Sequence, residues 1–211
     1  MICHERRFIF VHIRKTAGTS LEAALIDGAE AHIRRYGPGN EPVPLLRDRA
    51  PWKHRMLKEY ERRWIEEYFT FSIVRNPWDR AVSRYYWERK LRRPAIRAFS
   101  DFRAYILARR GLPVSQWNVA GDNPRKYTTQ YECLEFDGRI GVDKTWRYER
   151  LEEDYPEIAG HLGLTGVPLP HVFPSEHDPY WTYFDEETRQ IVADAYRVNI
   201  EAFGYGFHDD N

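Results

Sequence analysis

The chain has little cysteine and no long apolar run, and both shortages narrow the kinds of protein that it can be. Its two cysteines, Cys3 and Cys133, lie far apart and are too few for a disulfide framework or a zinc site. The apolar stretch at 8–13 is too short for a signal-peptide core or a membrane span. We therefore expect a protein of the reducing cytoplasm without an integral membrane segment.

An excess of charge of either sign is also missing. The 32 Lys and Arg residues balance the 32 Asp and Glu residues, so no overall basic field favours nucleic acid as a partner. Hydrophobic residues make up 42% of the 211 positions and aromatic residues 15%, which is enough for a substantial core. We expect a single domain over residues 1–211.

The most informative segment is residues 8–20, which read FIFVHIRKTAGTS. An apolar run predicts a strand, the small and basic residues predict a tight turn, and LEAALIDGAEA then favours a helix. Small residues let several N–H groups of such a turn point at one spot, and the helix N-terminus and Lys15 add positive charge. The turn therefore indicates a site for a phosphate or a similar tetrahedral anion, although its glycine, Gly18, follows Lys15 and does not match GxxxxGK[ST].

A second strand-to-helix turn occupies residues 69–87, FTFSIVRNPWDRAVSRYYW. The apolar run ends at Arg75, and Pro77 is well placed to begin a helix. Ser83 follows about two helical turns later, so it can face the strand end. A guanidinium and a hydroxyl together suit a phosphate. Taken alone, the segment favours a structural ion pair for Arg75 and no special role for Ser83 on the helix.

Together these segments resemble the sulfotransferase superfamily, whose members take the sulfuryl group from 3′-phosphoadenosine 5′-phosphosulfate (PAPS). KTAGTS at 15–20 resembles the 5′-phosphosulfate loop, and VRNPWDRAVSRYY at 74–86 resembles the 3′-phosphate element. The closer resemblance is to the carbohydrate-type branch, family 2. Its supporting pieces are the pair Lys53-His54, RYERLEED at 147–154, LPH at 169–171 and FGYGF at 203–207. Arg14 departs from the family, which usually has Pro before the loop lysine.

The resemblance implies a role for each matching residue. The residues expected to bind PAPS, and its product PAP, are Arg14, Lys15, Thr16, Ala17, Gly18, Thr19, Ser20, Arg75 and Ser83. Lys15 is expected to stabilise charge on the leaving 5′-phosphate, and His54 is expected to be the general base. Gln130, Glu149 and His171 are expected near the substrate or behind the residues that touch it. No metal is expected, because backbone amides and Lys15 take its place.

Strands expected at 8–13, 69–74 and 139–148 alternate with helices expected at 54–68, 95–110, 151–162 and 185–203. This alternation predicts an α/β, three-layer, P-loop-like fold with a central parallel sheet flanked by helices. In such sheets ligands bind beyond the carboxyl ends of the strands, where both anion-binding segments fall.

We expect a soluble bacterial enzyme that moves a sulfuryl group from PAPS to a hydroxyl. A saccharide is the expected acceptor, and a lipid-linked glycan, a small metabolite and a peptide tyrosine stay open as alternatives. Two alternative functions also stay open. A P-loop kinase would use ATP and Mg²⁺, but the GK[ST] loop and a strand-end Asp are missing. A non-catalytic module that binds a nucleotide or a sulfated glycan would keep the same anion-binding residues. Glu149, His171 and His177 remain alternatives to His54 as proton acceptor.

Overall fold

The computed structural model describes residues 1–25, 54–91, 94–117, 128–170 and 177–208. Their contacts divide the chain into two compact units. Unit 1 comprises Met1–Val74 and Cys133–Phe173, and unit 2 comprises Arg75–Glu132 and Pro174–Asn211. The single domain expected over residues 1–211 stays a prediction.

Unit 1 is built on a four-stranded sheet. Its strands are β1 (Ile2–Cys3), β2 (Phe8–Val11), β3 (Phe69–Val74) and β6 (Lys144–Arg147). The strands β4 (Glu135–Phe136) and β5 (Arg139–Ile140) form a separate two-stranded sheet. The spatial order is β1-β2-β3-β6, in which β2, β3 and β6 run parallel and β1 pairs antiparallel with β2. The carboxyl ends of the three parallel strands therefore meet at one edge. This confirms the expected α/β class with a mostly parallel sheet.

Alternation along the strands explains how helices cover this sheet. Phe8, Phe10, Phe71, Ile73 and Trp146 form one face, which packs in a single core with the helices. Those helices are α1, which includes residues 18–25, and α6 (Leu151–Leu162). Each large apolar side chain buried there contributes roughly 1.5–3 kcal/mol. The alternate positions Ile9 and Val11 are also buried, as in parallel sheets covered on both faces.

The remaining helices of the described residues are α2 (Arg62–Glu67), α3 (Pro77–Lys90), α4 (Phe102–Leu107), α5 (Gln130–Leu134), α7 (Glu186–Ala195) and α8 (Arg197–Phe203). Helix α3 starts as its sequence predicts, because the Asn76 side chain accepts a hydrogen bond from the Trp78 N–H and Pro77 follows the cap. Trp78, Val82 and Tyr85 place α3 in the core of unit 2. Within the described part of the chain, no helix has the length and apolar character needed to span a membrane.

Three expected helices are divided in the structure. The helix expected over 54–68 is a 3₁₀ turn at Leu57–Glu59 followed by α2, and that expected over 95–110 is a 3₁₀ turn at Pro94–Ala98 followed by α4. Asp101 causes the second break, because its carboxylate caps α4 at the Ala104 N–H. The helix expected over 185–203 is α7 and α8, which separate at Tyr196.

The strand expected over 139–148 forms two strands that belong to different sheets. Asp143 lies between β5 and β6, and its carboxylate accepts hydrogen bonds from the N–H and the hydroxyl of Thr70. Gly141 packs so closely that a Cβ there would lie 2.5 Å from the Cβ of Phe136. The Thr70–Asp143 hydrogen bonds join residues far apart in the chain, which local propensity does not encode. Together with the close packing of Gly141 against Phe136, they end β5 and position β6 beside β3.

Candidate functional site

The loop of residues 14–17 joins β2 to α1 at the carboxyl edge of the sheet. Lys15 and Ala17 have φ of 67° and 58°, and Thr16 between them does not have a positive φ. Alternating backbone handedness of this kind forms a nest, in which successive N–H groups converge on an anion. The N–H groups of Gly18 and Thr19 open α1 and have no acceptor within the helix. The loop therefore offers an anion several backbone donors at a positive helix end.

The side chains of this loop divide between those that build it and those that can reach a ligand. Thr16 is fully buried, and its hydroxyl donates to the Ile13 carbonyl over 3.0 Å. The Ser20 N–H donates to the Ala17 carbonyl over 2.8 Å, and the Ser20 side chain is buried. Arg14, Lys15 and Thr19 are half-buried. The Thr16 side chain and the Ser20 backbone thus stabilise the loop, whereas the Lys15 side chain is able to contact a bound anion.

His12 lies directly behind this loop and explains why residue 18 is glycine. A Cβ at Gly18 would lie 2.1 Å from His12 Cδ2 and 2.3 Å from His12 Nε2, far inside van der Waals contact. The His12 Nδ1 lies 2.8 Å from Oε1 of Glu22, which belongs to α1, and both side chains are buried. The imidazole ring therefore packs the start of α1 against the end of β2.

His54 is held by the same part of the chain. Its Nδ1 lies 3.0 Å from the backbone oxygen of His12, and the two imidazole centroids are 4.6 Å apart. A carbonyl oxygen can only accept, so Nδ1 carries the proton and Nε2 carries the lone pair of the neutral ring. His54 precedes the Leu57–Glu59 turn and does not begin a long helix as expected. This tautomer is the one that a base acting through Nε2 requires.

Glu149 also follows the carboxyl edge of the sheet in unit 1. It lies half-buried in the 3₁₀ turn Tyr148–Arg150, directly after β6. Because Arg147 is the register partner of Val74, this turn leaves the sheet where β3 also ends. Lys53 and His171, which the sequence motifs singled out, lie outside the described residues.

In unit 2, Arg75 begins the segment that the sequence assigned to the 3′-phosphate. Its Nε donates to Asp79 Oδ2 over 2.6 Å, and the two side chains are only 5% and 12% exposed. Ser83 is buried one helical turn beyond Asp79 on α3, so the two share a face of that helix. The structure thus contains the ion pair that the isolated segment suggested, and the same helix face carries the predicted hydroxyl.

Gln130 fixes the backbone of Arg75. Its Oε1 accepts from the Arg75 N–H over 2.9 Å, and its Nε2 donates to the Arg75 carbonyl over 2.7 Å. The side chain is fully buried. Both of its polar ends are therefore committed to Arg75, which gives Gln130 a positioning role.

Sequence reasoning missed two relationships at these sites, His12 with Glu22 and Gln130 with Arg75. A spacing of ten residues between a strand-end histidine and a helical glutamate is a weak signal for the first. Nothing in the local sequence indicates the second, because the partners lie 55 residues apart. In the regions of chain that the structure describes, no group of three or more His, Cys, Asp or Glu side chains is arranged to hold a metal ion.

Comparison with known proteins places the chain in a family. The family model described as "Sulfotransferase family" matches residues 1–206. The chain therefore belongs to the sulfotransferase family, in the branch numbered 2, as the motifs at 15–20 and 74–86 predicted. No curated protein and no solved structure matches it. Membership of this family makes sulfuryl transfer its general reaction class.

Proposed function

We propose that this protein transfers the sulfuryl group of PAPS to the hydroxyl of a saccharide, with His54 as general base. Family membership supports the reaction class. The observation that carries the finer proposal is the loop after β2, in which the positive φ values of Lys15 and Ala17 turn backbone donors toward one point at the start of α1.

The donor set of this loop suits a phosphosulfate group. It consists of backbone N–H groups and the Lys15 ammonium, while the nearby Glu22 carboxylate is bound to His12. A multiply charged anion with several acceptor oxygens matches N–H donors that need no deprotonation and no metal. We therefore assign the 5′-phosphosulfate end of PAPS to Arg14, Lys15, Thr16, Ala17, Gly18, Thr19 and Ser20.

The 3′-phosphate is assigned to Arg75 and Ser83 of unit 2. The Arg75 guanidinium donates from its Nε to the Asp79 carboxylate. This contact fixes the guanidinium plane, and Gln130 fixes the backbone that carries it. A positively charged group with so little freedom loses little entropy when it binds an anion, which supports its assignment to phosphate recognition.

In the proposed reaction the acceptor oxygen forms a bond to sulfur while the bond from sulfur to the 5′-phosphate oxygen breaks. PAPS, when bound, supplies the activated sulfuryl group. His54 takes the acceptor proton on Nε2, since its Nδ1–H is held by the His12 carbonyl. Lys15 stabilises the negative charge that develops on the leaving phosphate oxygen. Glu149 and His171 are proposed near the acceptor.

The saccharide acceptor and the cytoplasmic location are proposed on sequence grounds. The acceptor follows from the resemblance to the carbohydrate-type branch. The location follows from the low cysteine content and the short apolar run at 8–13.

Calorimetry followed by a transfer assay tests the proposal. We expect PAP to bind with the same affinity in EDTA and in Mg²⁺, and labelled PAPS to pass its sulfate to a saccharide in an acceptor panel. Mg²⁺-dependent ATP binding without PAP binding would contradict the proposal and favour a kinase. PAP binding without transfer to any acceptor would favour a binding module.

A further inference from the structure

We propose that His12 and Glu22 form a buried positioning pair that sets the tautomer of His54 and the shape of the loop at residues 14–18. The inference rests on the proposed function for the role of His54 as base. Neither His12 nor Glu22 is proposed to touch the substrate. Their effect passes through the backbone oxygen of His12 and through contact with Gly18.

The carboxylate of Glu22 determines the orientation of the His12 ring. Glu22 Oε1 lies 2.8 Å from His12 Nδ1, and the side chains are 10% and 4% exposed. A hydrogen bond between an imidazole N–H and a carboxylate in so buried a place is strong. It leaves the opposite edge of the ring, Cδ2 and Nε2, against Gly18. Rotation of the ring would therefore break the contact with Glu22 and displace the loop.

The backbone of His12 carries the effect to His54. Strand β2 ends at Val11, whose carbonyl accepts from the Ser72 hydroxyl. The next carbonyl, that of His12, is the one that His54 Nδ1 contacts at 3.0 Å. The His12 ring also meets the His54 ring edge-on at 67°. The ring that Glu22 contacts and the carbonyl that His54 contacts both belong to His12. A change at Glu22 that displaces His12 therefore also displaces the hydrogen-bond acceptor of His54.

Nuclear magnetic resonance of the ligand-free protein, with ¹⁵N-labelled histidine, tests this pair directly. At about pH 8, where an ordinary histidine is neutral, we expect wild-type His54 to show the Nδ1–H tautomer. Glu22→Leu should shift His54 toward a tautomer mixture. Glu22→Gln should preserve the wild-type pattern, since its amide oxygen accepts from the same N–H. Glu67→Leu, which removes an exposed partner of Arg7, is the matched control and should change nothing.

Sulfate transfer gives a second measurement. Glu22→Leu should lower kcat by about 10²-fold, the scale of a displaced catalytic group, and Glu22→Gln should restore most of it. Should Glu22→Leu not fold, Glu22→Asp serves instead, because its shorter side chain withdraws the carboxylate from Nδ1. A folded variant of either kind that keeps the Nδ1–H tautomer and the wild-type kcat overturns the inference. If Glu22→Leu shifts the His54 tautomer but the wild-type protein transfers no sulfate to any acceptor, the positioning pair is sustained and the proposed function is refuted.

Discussion

The Nε of Arg75 lies 2.6 Å from Oδ2 of Asp79, one helical turn further along the chain, and both side chains are almost completely buried. An ion pair in such a place costs desolvation, and loss of one partner leaves a buried charge without compensation. Gln130 holds the Arg75 backbone at the same time. Arg75 is therefore fixed both at its main chain and at its guanidinium.

Replacement of Arg75 should separate PAP from AMP. Since only PAP carries a 3′-phosphate, Arg75→Ala should weaken PAP binding by about 1.5–3 kcal/mol, the scale of a charge-assisted hydrogen bond, and leave AMP binding nearly unchanged. Calorimetry with both nucleotides measures the difference. Equal weakening of the two would make Arg75 structural.

The stability cost of this variant needs its own control. Arg75→Ala should lower the free energy of unfolding by about 3–5 kcal/mol, because Asp79 is left as a buried charge. The double variant Arg75→Ala/Asp79→Asn should recover part of that loss while still failing to distinguish PAP from AMP. Denaturant unfolding measures the free energy of unfolding of both variants. A double variant no more stable than Arg75→Ala would show that Arg75 and Asp79 are not energetically coupled.

Gln130 should be sensitive to a change of one atom. Gln130→Glu keeps the shape and one acceptor, but the carboxylate has no N–H for the Arg75 carbonyl, whose distance from Nε2 is 2.7 Å. We expect a loss of about 1–3 kcal/mol in the free energy of unfolding, the cost of an unsatisfied buried polar group. Gln190→Glu, at an exposed position of α7, is the control. Similar losses in both variants would argue against the special role of Gln130.

Gly18→Ala should disturb the anion-binding loop. The new Cβ would overlap the His12 ring, so the loop must shift, and we expect a stability loss of about 1–3 kcal/mol together with weaker PAP binding. Gly160 in α6 has no atom within 4 Å of its ideal Cβ. Gly160→Ala should instead raise the free energy of unfolding by about 0.5–1 kcal/mol. Thermal unfolding and calorimetry of the two variants test the contrast, and unchanged PAP binding in Gly18→Ala would contradict it.

His54→Ala should separate catalysis from binding. We expect kcat to fall by roughly 10²–10⁴-fold, the usual worth of a positioned base, while PAP affinity stays near that of the wild type. The acidic limb of the pH–rate profile should disappear, because it reports the neutral form of this histidine. A variant that retains most of the wild-type kcat would transfer the role of base to Glu149, His171 or His177.

Asp185 caps the N-terminus of α7, where its carboxylate accepts a hydrogen bond from the Thr188 N–H, and this cap predicts a pH dependence of stability. Hydrogen bonds from the Thr188 N–H, then from Arg103 and the Thr188 hydroxyl, hold the pKa of Asp185 well below its ordinary value. Its contribution is therefore present above the unfolded pKa of about 3.9 and is lost as pH falls toward the folded value. The stability difference between wild type and Asp185→Ser, a neutral cap, should shrink between about pH 5 and pH 3. A difference independent of pH would contradict this.

The sequence determined the elements that local rules specify. Apolar runs at 8–13 and 69–74 gave β2 and β3, Asn76 and Pro77 started α3, and small residues after β2 gave a turn of unusual backbone conformation. Each of these follows from residues within a few positions of one another. The family motifs are local in the same sense, so the sequence alone was enough to predict family membership.

Tertiary structure decided the properties that depend on residues distant in the chain. The division of 139–148 into two strands depends on Thr70 and Asp143, which lie 73 residues apart. The tautomer of His54 depends on the carbonyl of His12, 42 residues away. No local propensity encodes such contacts, because the hydrogen bonds form only once the sheet has brought these backbones together. Local sequence patterns therefore determined the strands, the helix start and the motif residues. Long-range packing determined where the strands end and which tautomer His54 adopts.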